Sequence, residues 1–328
     1  MVLILSRKDV EPLMDMGELI SLVEKVFLQS YRGKAVCPKR VIINVEKHDG
    51  FMYYMPAYLS ESESLAIKIV SQYGENFRRH GMPTIMASIL LNDSQTGRPL
   101  ALMEGAYITA LRTGAASGVA AKCLARENSK VMGVIGTGVQ ARTQVWALSK
   151  VLKKIVSVKA YDLLPERVDP FVEDISAKYG LNAEAVRSSR ECVEDSDVLI
   201  VATTSETPVF DGNWLKKGTH VSSIGVSGVE GRELDDATVR KAKIVVDSKE
   251  GALSESGDLI VPIRNGTLRV DSVYAELDEI VGGRKPGRTS DTEITCWKAV
   301  GLAIEDAAVA RLVYDKAMKE GIGKEVDL

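Results

Sequence analysis

Residues 131–141 constrain this chain more than any other stretch. Val131-Met132-Gly133-Val134-Ile135 is a short apolar run of the kind that makes a buried strand. It passes directly into Gly136-Thr137-Gly138-Val139-Gln140-Ala141 and then into a helical pattern reaching Leu152. The result is GxGxxA between a strand and a helix. The first glycine permits the tight turn, the second lets a pyrophosphate approach the backbone, and the alanine keeps the helix close to the strand. The free N–H groups and partial positive charge at the start of that helix suit phosphate. A second apolar run, Val156 to Tyr161, ends in Asp162, followed by Leu163, Leu164 and Pro165 rather than by an arginine. A carboxylate at this point accepts hydrogen bonds from the adenosine ribose and repels a 2′-phosphate. The alternative is a glycine-rich turn that holds no ligand. Strand, glycines, helix, second strand and acid in that order argue against it. The expectation is a dinucleotide site at Gly136, Gly138, Val139 and Asp162 that takes NAD in preference to NADP.

With 328 residues the chain is long enough for about two domains. From Val131 onward strands alternate with helices, the pattern of a doubly wound parallel sheet. The candidate strands are 131–135, 156–161, 198–202, 221–224 and 244–246. A closing helix is expected from Trp297 to Lys319. The earlier half reads differently. Ser6 and Asp9 have capping-box spacing. Leu19, Val23, Val26 and Phe27 recur at helical spacing, with Gly33 as the stop. Strands follow at 41–45, 51–55, 65–70, 85–91 and 100–103, the last two joined by the turn Asp93-Ser94-Gln95-Thr96-Gly97, which predicts an antiparallel sheet. Residues 108–125 form a helix rich in alanine, glycine and serine, whose small side chains let another backbone come close. The fold class is therefore α/β, a Rossmann sheet plus an α+β domain.

Composition narrows the partners. The net charge of −3 predicts neither a nucleic-acid-binding surface nor an anionic-membrane surface. No apolar run approaches the roughly 20 residues that span a bilayer, and no basic segment precedes the apolar N-terminus as in a signal peptide. Cys37, Cys123, Cys192 and Cys296 are too scattered for a metal pair or a disulfide framework, and the three histidines are scattered too. No metal site is expected, and a reducing cytoplasm is the expected setting.

Three cations before Val131 stand out as substrate groups. Arg40 sits at the entry to a strand, Lys68 inside the apolar strand Ala66-Ile67-Lys68-Ile69-Val70, and Arg112 in the small-residue helix. A buried cation needs a partner. Arginine grips a carboxylate with two parallel hydrogen bonds, and a desolvated lysine has a lowered pKa suited to acid–base work. Structural ion pairing fits the same residues, as does a solvated strand end for Arg40.

Met55-Pro56-Ala57-Tyr58, Lys68-Ile69-Val70, Gly81-Met82-Pro83-Thr84, Leu111-Arg112-Thr113-Gly114-Ala115-Ala116, the GxGxxA turn, Arg232-Glu233-Leu234-Asp235 and Gly301-Leu302-Ala303-Ile304-Glu305-Asp306 together resemble the ornithine cyclodeaminase/mu-crystallin family over nearly the whole chain. That family also includes archaeal-type alanine dehydrogenases and ketimine reductases. The resemblance implies a homodimer. Its substrate-binding and dimerisation domain would cover residues 1–126, completed by 303–328, and its Rossmann domain 127–302. It implies that Arg40 holds a substrate carboxylate with help from Arg112, and that Lys68 is the active-site lysine. Thr84, Arg112, Thr113 and Gln140 resemble cofactor contacts. Cyclodeaminases carry an aspartate where this chain has Ser227; the ketimine-reductase branch also has serine there. The resemblance thus implies hydride transfer at the α-carbon of a small amino acid, its imine, or a 2-oxo acid with an amine. Ornithine cyclodeaminase, or a cofactor-binding protein with little turnover, is the alternative.

Overall fold

Alternation of buried and exposed side chains builds the first of two units. The computed structural model describes residues 1–225 and 228–327; Val226, Ser227 and Leu328 lie outside the described residues. One unit comprises residues 1–112 with 302–328, the other 113–301. The division falls within the helix Ala106–Leu124.

The first unit contains β1 (Val2–Leu5), β2 (Ala35–Val36), β3 (Val41–Val45), β4 (Gly50–Leu59), β5 (Ser64–Tyr73), β6 (Ile85–Asn92) and β7 (Pro99–Glu104). Strands β4 to β7 form an antiparallel meander, as the alternation predicts. Its β6–β7 turn is closed by Asp93, whose Oδ1 accepts from the backbone N–H of Gln95 and Thr96 and from Thr96 Oγ1. Three strands, β1, β2 and Lys324–Val326, lie beyond that expectation. β1 runs parallel to β7, and Lys324–Val326 pairs antiparallel with β1. Both β2 and β3 pair with β4. The helices Met16–Tyr31 and Ala303–Glu320 pack together, and the latter covers β4 and β5. The ladder aligns Met55, Lys68, Ile89 and Met103 in one row across four strands. All four are buried, so Lys68 is a lone charge in an apolar row.

The second unit is a parallel sheet of β8 (Val131–Ile135), β9 (Ser157–Tyr161), β10 (Asn182–Ala185), β11 (Val198–Val201), β12 (His220–Ser223), β13 (Ala242–Val246), β14 (Val273–Glu276) and β15 (Ile294–Lys298). The order is β10-β9-β8-β11-β12-β15-β13-β14. It reverses between β8 and β11, which makes the sheet doubly wound. One element corrects the sequence reading. Trp297 belongs to β15, not to the closing helix, which begins at Ala303. A strand inside a parallel sheet is apolar on both faces and lacks the period that separates strand from helix. The Trp297 indole is fully buried and donates to Ser117 Oγ at 3.2 Å. In the small-residue helix, a Cβ on Gly114 would fall 2.7 Å from the Thr143 carbonyl oxygen, the close approach that its composition predicts.

Candidate active site

Lys68 is 2% exposed. The helix laid over β5 presents two acids in its first turn, Glu305 and Asp306, both fully buried. Lys68 Nζ lies 2.6 Å from Asp306 Oδ2 and donates to Thr109 Oγ1 at 3.3 Å. Thr109 in turn donates to the Gly105 carbonyl. Arg112 approaches from the small-residue helix, its Nε donating to Asp306 Oδ1 at 3.0 Å and its Nη1 to Glu305 Oε2 at 2.9 Å. Two cations and two carboxylates thus share one dry volume with no net charge.

Their proton affinities follow from that arrangement. Burial, aided by Arg112 and against the pull of Asp306, lowers the Lys68 pKa to about 8. Burial would raise the Asp306 carboxyl, but Arg112 and Lys68 more than reverse it, so it stays ionised. For Arg112 the two acids outweigh burial and push its pKa up. Arg40 lies just ahead of β3 and is close enough to Lys68 to lower its pKa further. Lys68, Arg40 and Arg112, chosen as separate cations, therefore fall in one electrostatic neighbourhood. Thr84 precedes β6, its carbonyl accepting from Tyr73 N–H. Ser227 lies outside the described residues.

Sequence reading missed the partners Thr109, Glu305 and Asp306 as site residues. A signal was available for the acids. Glu305-Asp306 interrupts the run from Ala303 to Ala310, which is otherwise alanine, isoleucine and valine, and buried carboxylates demand cations.

The second unit carries the glycine turn. Gly136 has φ +87°, and a Cβ there would fall 2.5 Å from the Ala202 carbonyl oxygen. A Cβ on Gly138 would meet nothing within 4 Å, so the backbone there is open to a ligand. The helix Val139–Val151 starts at Gly138 without a side-chain cap, which leaves its first N–H groups for an anion. Gln140 Oε1 is buried at the same end with no hydrogen-bond partner among the described residues. Asp162 follows β9. Its Oδ2 accepts from Thr137 N–H at 2.8 Å and from Thr137 Oγ1 at 3.0 Å, and its Oδ1 accepts from Leu164 N–H at 3.0 Å. The carboxylate is thereby fixed beside the turn with acceptor capacity left on Oδ1. An open glycine, an uncapped helix start and an orphaned amide oxygen fit a dinucleotide.

A doubly wound sheet with this turn, in one chain with a buried lysine of lowered pKa, defines a dinucleotide-dependent oxidoreductase. The chain belongs to the ornithine cyclodeaminase/mu-crystallin family, which it matches over residues 2–321. It is 41% identical over 324 residues to alanine dehydrogenase of Archaeoglobus fulgidus, covering 99% of this chain and 98% of that protein. Among solved structures it is similar to the Delta(1)-pyrroline-2-carboxylate reductase of Thermococcus litoralis in complex with NADH and L-proline. The TM-score is 0.97 at 55% identity, with 99% of this chain and 100% of that chain covered. An archaeal alanine dehydrogenase dimer with bound NAD has a TM-score of 0.93 at 40% identity, covering 100% of this chain and 99% of that one.

Cofactor choice is testable at Asp162. Titration should show NADH bound more tightly than NADPH, and Asp162→Ala should narrow the gap. Equal affinity of the wild type for both would remove Asp162 from that role.

Proposed function

We propose that the protein is an NAD(H)-dependent oxidoreductase acting at the α-carbon of a small amino acid or its imine, with a cyclic imine carboxylate as the first substrate to test. The observation that carries this reading is Lys68, buried against Asp306 at 2.6 Å, its pKa lowered to about 8 by that burial and by the neighbouring Arg112. A general acid or base works best with a pKa near the operating pH. The likeness to a reductase solved with NADH and L-proline supports the choice of substrate.

When bound, the nicotinamide supplies or accepts the hydride at the substrate α-carbon. The chain's residues then have separate tasks. Gly136, Gly138, Val139 and Gln140 receive the pyrophosphate, Asp162 the adenosine ribose, and Thr84, Arg112 and Thr113 add cofactor contacts. Arg40 holds the substrate carboxylate through its guanidinium. The Lys68 ammonium has three N–H donors. Asp306 and Thr109 engage two of them, which leaves one for the substrate nitrogen. In reduction Lys68 Nζ gives that nitrogen a proton as the carbon gains hydride; in oxidation it takes the proton back. Ser227 has no charge with which to draw in or deprotonate a side-chain amine, so ornithine cyclisation is not favoured.

The test is turnover. The protein should oxidise NADH stoichiometrically with Δ1-pyrroline-2-carboxylate and release little proline or ammonia from ornithine with catalytic NAD. Lys68→Met should retain NADH binding while losing roughly a hundred-fold or more in rate. Fast release of proline and ammonia from ornithine, with no net NADH, would replace this reading by the cyclodeaminase one.

The pH dependence has a definite sign. Below about 8 Lys68 carries its proton, so kcat/KM for imine reduction should be high there and fall as pH rises through that value. Amino-acid oxidation needs Lys68 neutral, as the proton acceptor, and should rise over the same window. Asp306 supports the charged form, so Asp306→Asn should move both breakpoints to lower pH. Profiles that do not move would place the titration on another group.

The reading includes a cytoplasmic homodimer. Among the described residues no helix is long and apolar enough to cross a membrane. On β3, Val41, Ile42 and Ile43 are 59%, 48% and 48% exposed, a run of apolar residues that a soluble chain normally covers. The related archaeal dimer supports a second copy as the cover. Ile42→Asp should shift the species seen by light scattering from dimer to monomer; a wild-type monomer would refute the assembly.

A further inference from the structure

A second buried ion cluster lies within residues 113–301, and none of the steps above uses it. Lys298, the last residue of β15, is 1% exposed. Its Nζ sits 2.7 Å from Asp258 Oδ2 and 4.0 Å from Glu233 Oε2. It also donates to the Gly225 carbonyl at 2.6 Å and to Ser223 Oγ at 3.2 Å. Glu233 is equally buried. Its Oε1 accepts from Thr203 N–H at 2.6 Å and from Thr203 Oγ1 at 2.7 Å, while Oε2 accepts from Ser223 Oγ at 3.2 Å. Asp258 Oδ1 accepts from the backbone N–H groups of Glu233 and Leu234, each at 2.7 Å. Gly225 packs so tightly here that a Cβ would fall 2.3 Å from the Glu233 carboxylate.

Buried ion clusters are rarely more stabilising than the apolar packing that would replace them, so position is the informative property. Every anchor stands at the carboxyl edge of the sheet. Thr203 follows β11, Gly225 follows β12, and Lys298 ends β15. A doubly wound sheet binds a dinucleotide across its switch point, one half over each group of strands. Gly138 and Asp162 belong to the β8–β9 half and serve the pyrophosphate and adenosine. The β11-β12-β15 half is left for the nicotinamide. The two halves touch, because a Cβ on Gly136 would fall 2.9 Å from Thr203 Cγ2.

We propose that Lys298 is a positioning residue for the nicotinamide half of the cofactor. Its ammonium, with Glu233 and Asp258, holds the backbone at Thr203 and Gly225 in one fixed relation, so that the floor beneath the reacting ring does not shift. The inference rests on the NAD(H) reading above.

ADP-ribose separates this role from a purely structural one, because it carries the adenosine and pyrophosphate but no nicotinamide. Lys298→Met should weaken NADH binding by about ten-fold and lower kcat by up to roughly a hundred-fold, the scale of a small misplacement. ADP-ribose affinity should stay at the wild-type value. Glu233→Gln keeps the size and the acceptor for Thr203, so it holds the fold even if Lys298→Met does not. It should show the same split, weaker by a few-fold. Loss of NADH and ADP-ribose affinity in equal proportion, or no change in either, overturns the inference. A wild-type protein that binds no NADH overturns the cofactor reading and this inference with it.

Discussion

The Lys68 ammonium and the Asp306 carboxylate meet at 2.6 Å where almost no water reaches either, and the first unit is arranged around that meeting. Lys68 stands in an apolar row of the sheet, so something charged has to lie on that face. The helix Ala303–Glu320 brings Asp306 there, and with it Glu305, which then requires Arg112. Removing one member of such a set leaves an uncompensated buried charge, at a cost of about 3–5 kcal/mol. Stability alone does not call for the set, since an apolar replacement of similar volume is often neutral or better. The same burial that makes Lys68 costly also lowers its pKa to about 8.

The parts of the molecule legible in the sequence are those whose physical demand is local. The glycine turn is one, because strand, turn and helix start are contiguous and each position has a steric or electrostatic reason. Lys68 is another, because a charge in a strand of period two is conspicuous. The strands of the first unit were legible through alternation. The reading failed where the determinant is distant or the period is lost. Trp297 looked helical because an interior parallel strand is buried on both faces. β10, Asn182–Ala185, is short and mostly exposed, so it shows no apolar signal. Asp306 could not be matched to Lys68 by spacing, because only folding brings β5 under the last helix. Lys298, Glu233 and Asp258 were hidden in the same way.

The two ion clusters use one device to different ends. Around Lys68, burial and the neighbouring arginines outweigh Asp306 and lower the lysine's pKa to about 8. Around Lys298 one cation faces two carboxylates. Burial, with Asp258 adding to it, raises the proton affinity of Glu233. Burial would lower that of Lys298, but Asp258 and Glu233 more than offset it. An ammonium held this firmly charged is a poor proton carrier and a good fixed strut. The contrast is one of proton affinity: burial wins over the carboxylate at Lys68, and the carboxylates win over burial at Lys298.

The first unit is built from the two ends of the chain, with Lys324–Val326 paired to β1 and the last helix laid over β5. This has a consequence for biosynthesis. On the ribosome, residues 1–112 emerge before 113–301, yet their charged row waits for the later carboxylates of Glu305 and Asp306. Residues 113–301 emerge complete in the interval, and domains generally fold as units when their sequence is available. The order of completion therefore differs from the order of synthesis: every residue of 113–301 is available before the helix Ala303–Glu320 that the first unit needs.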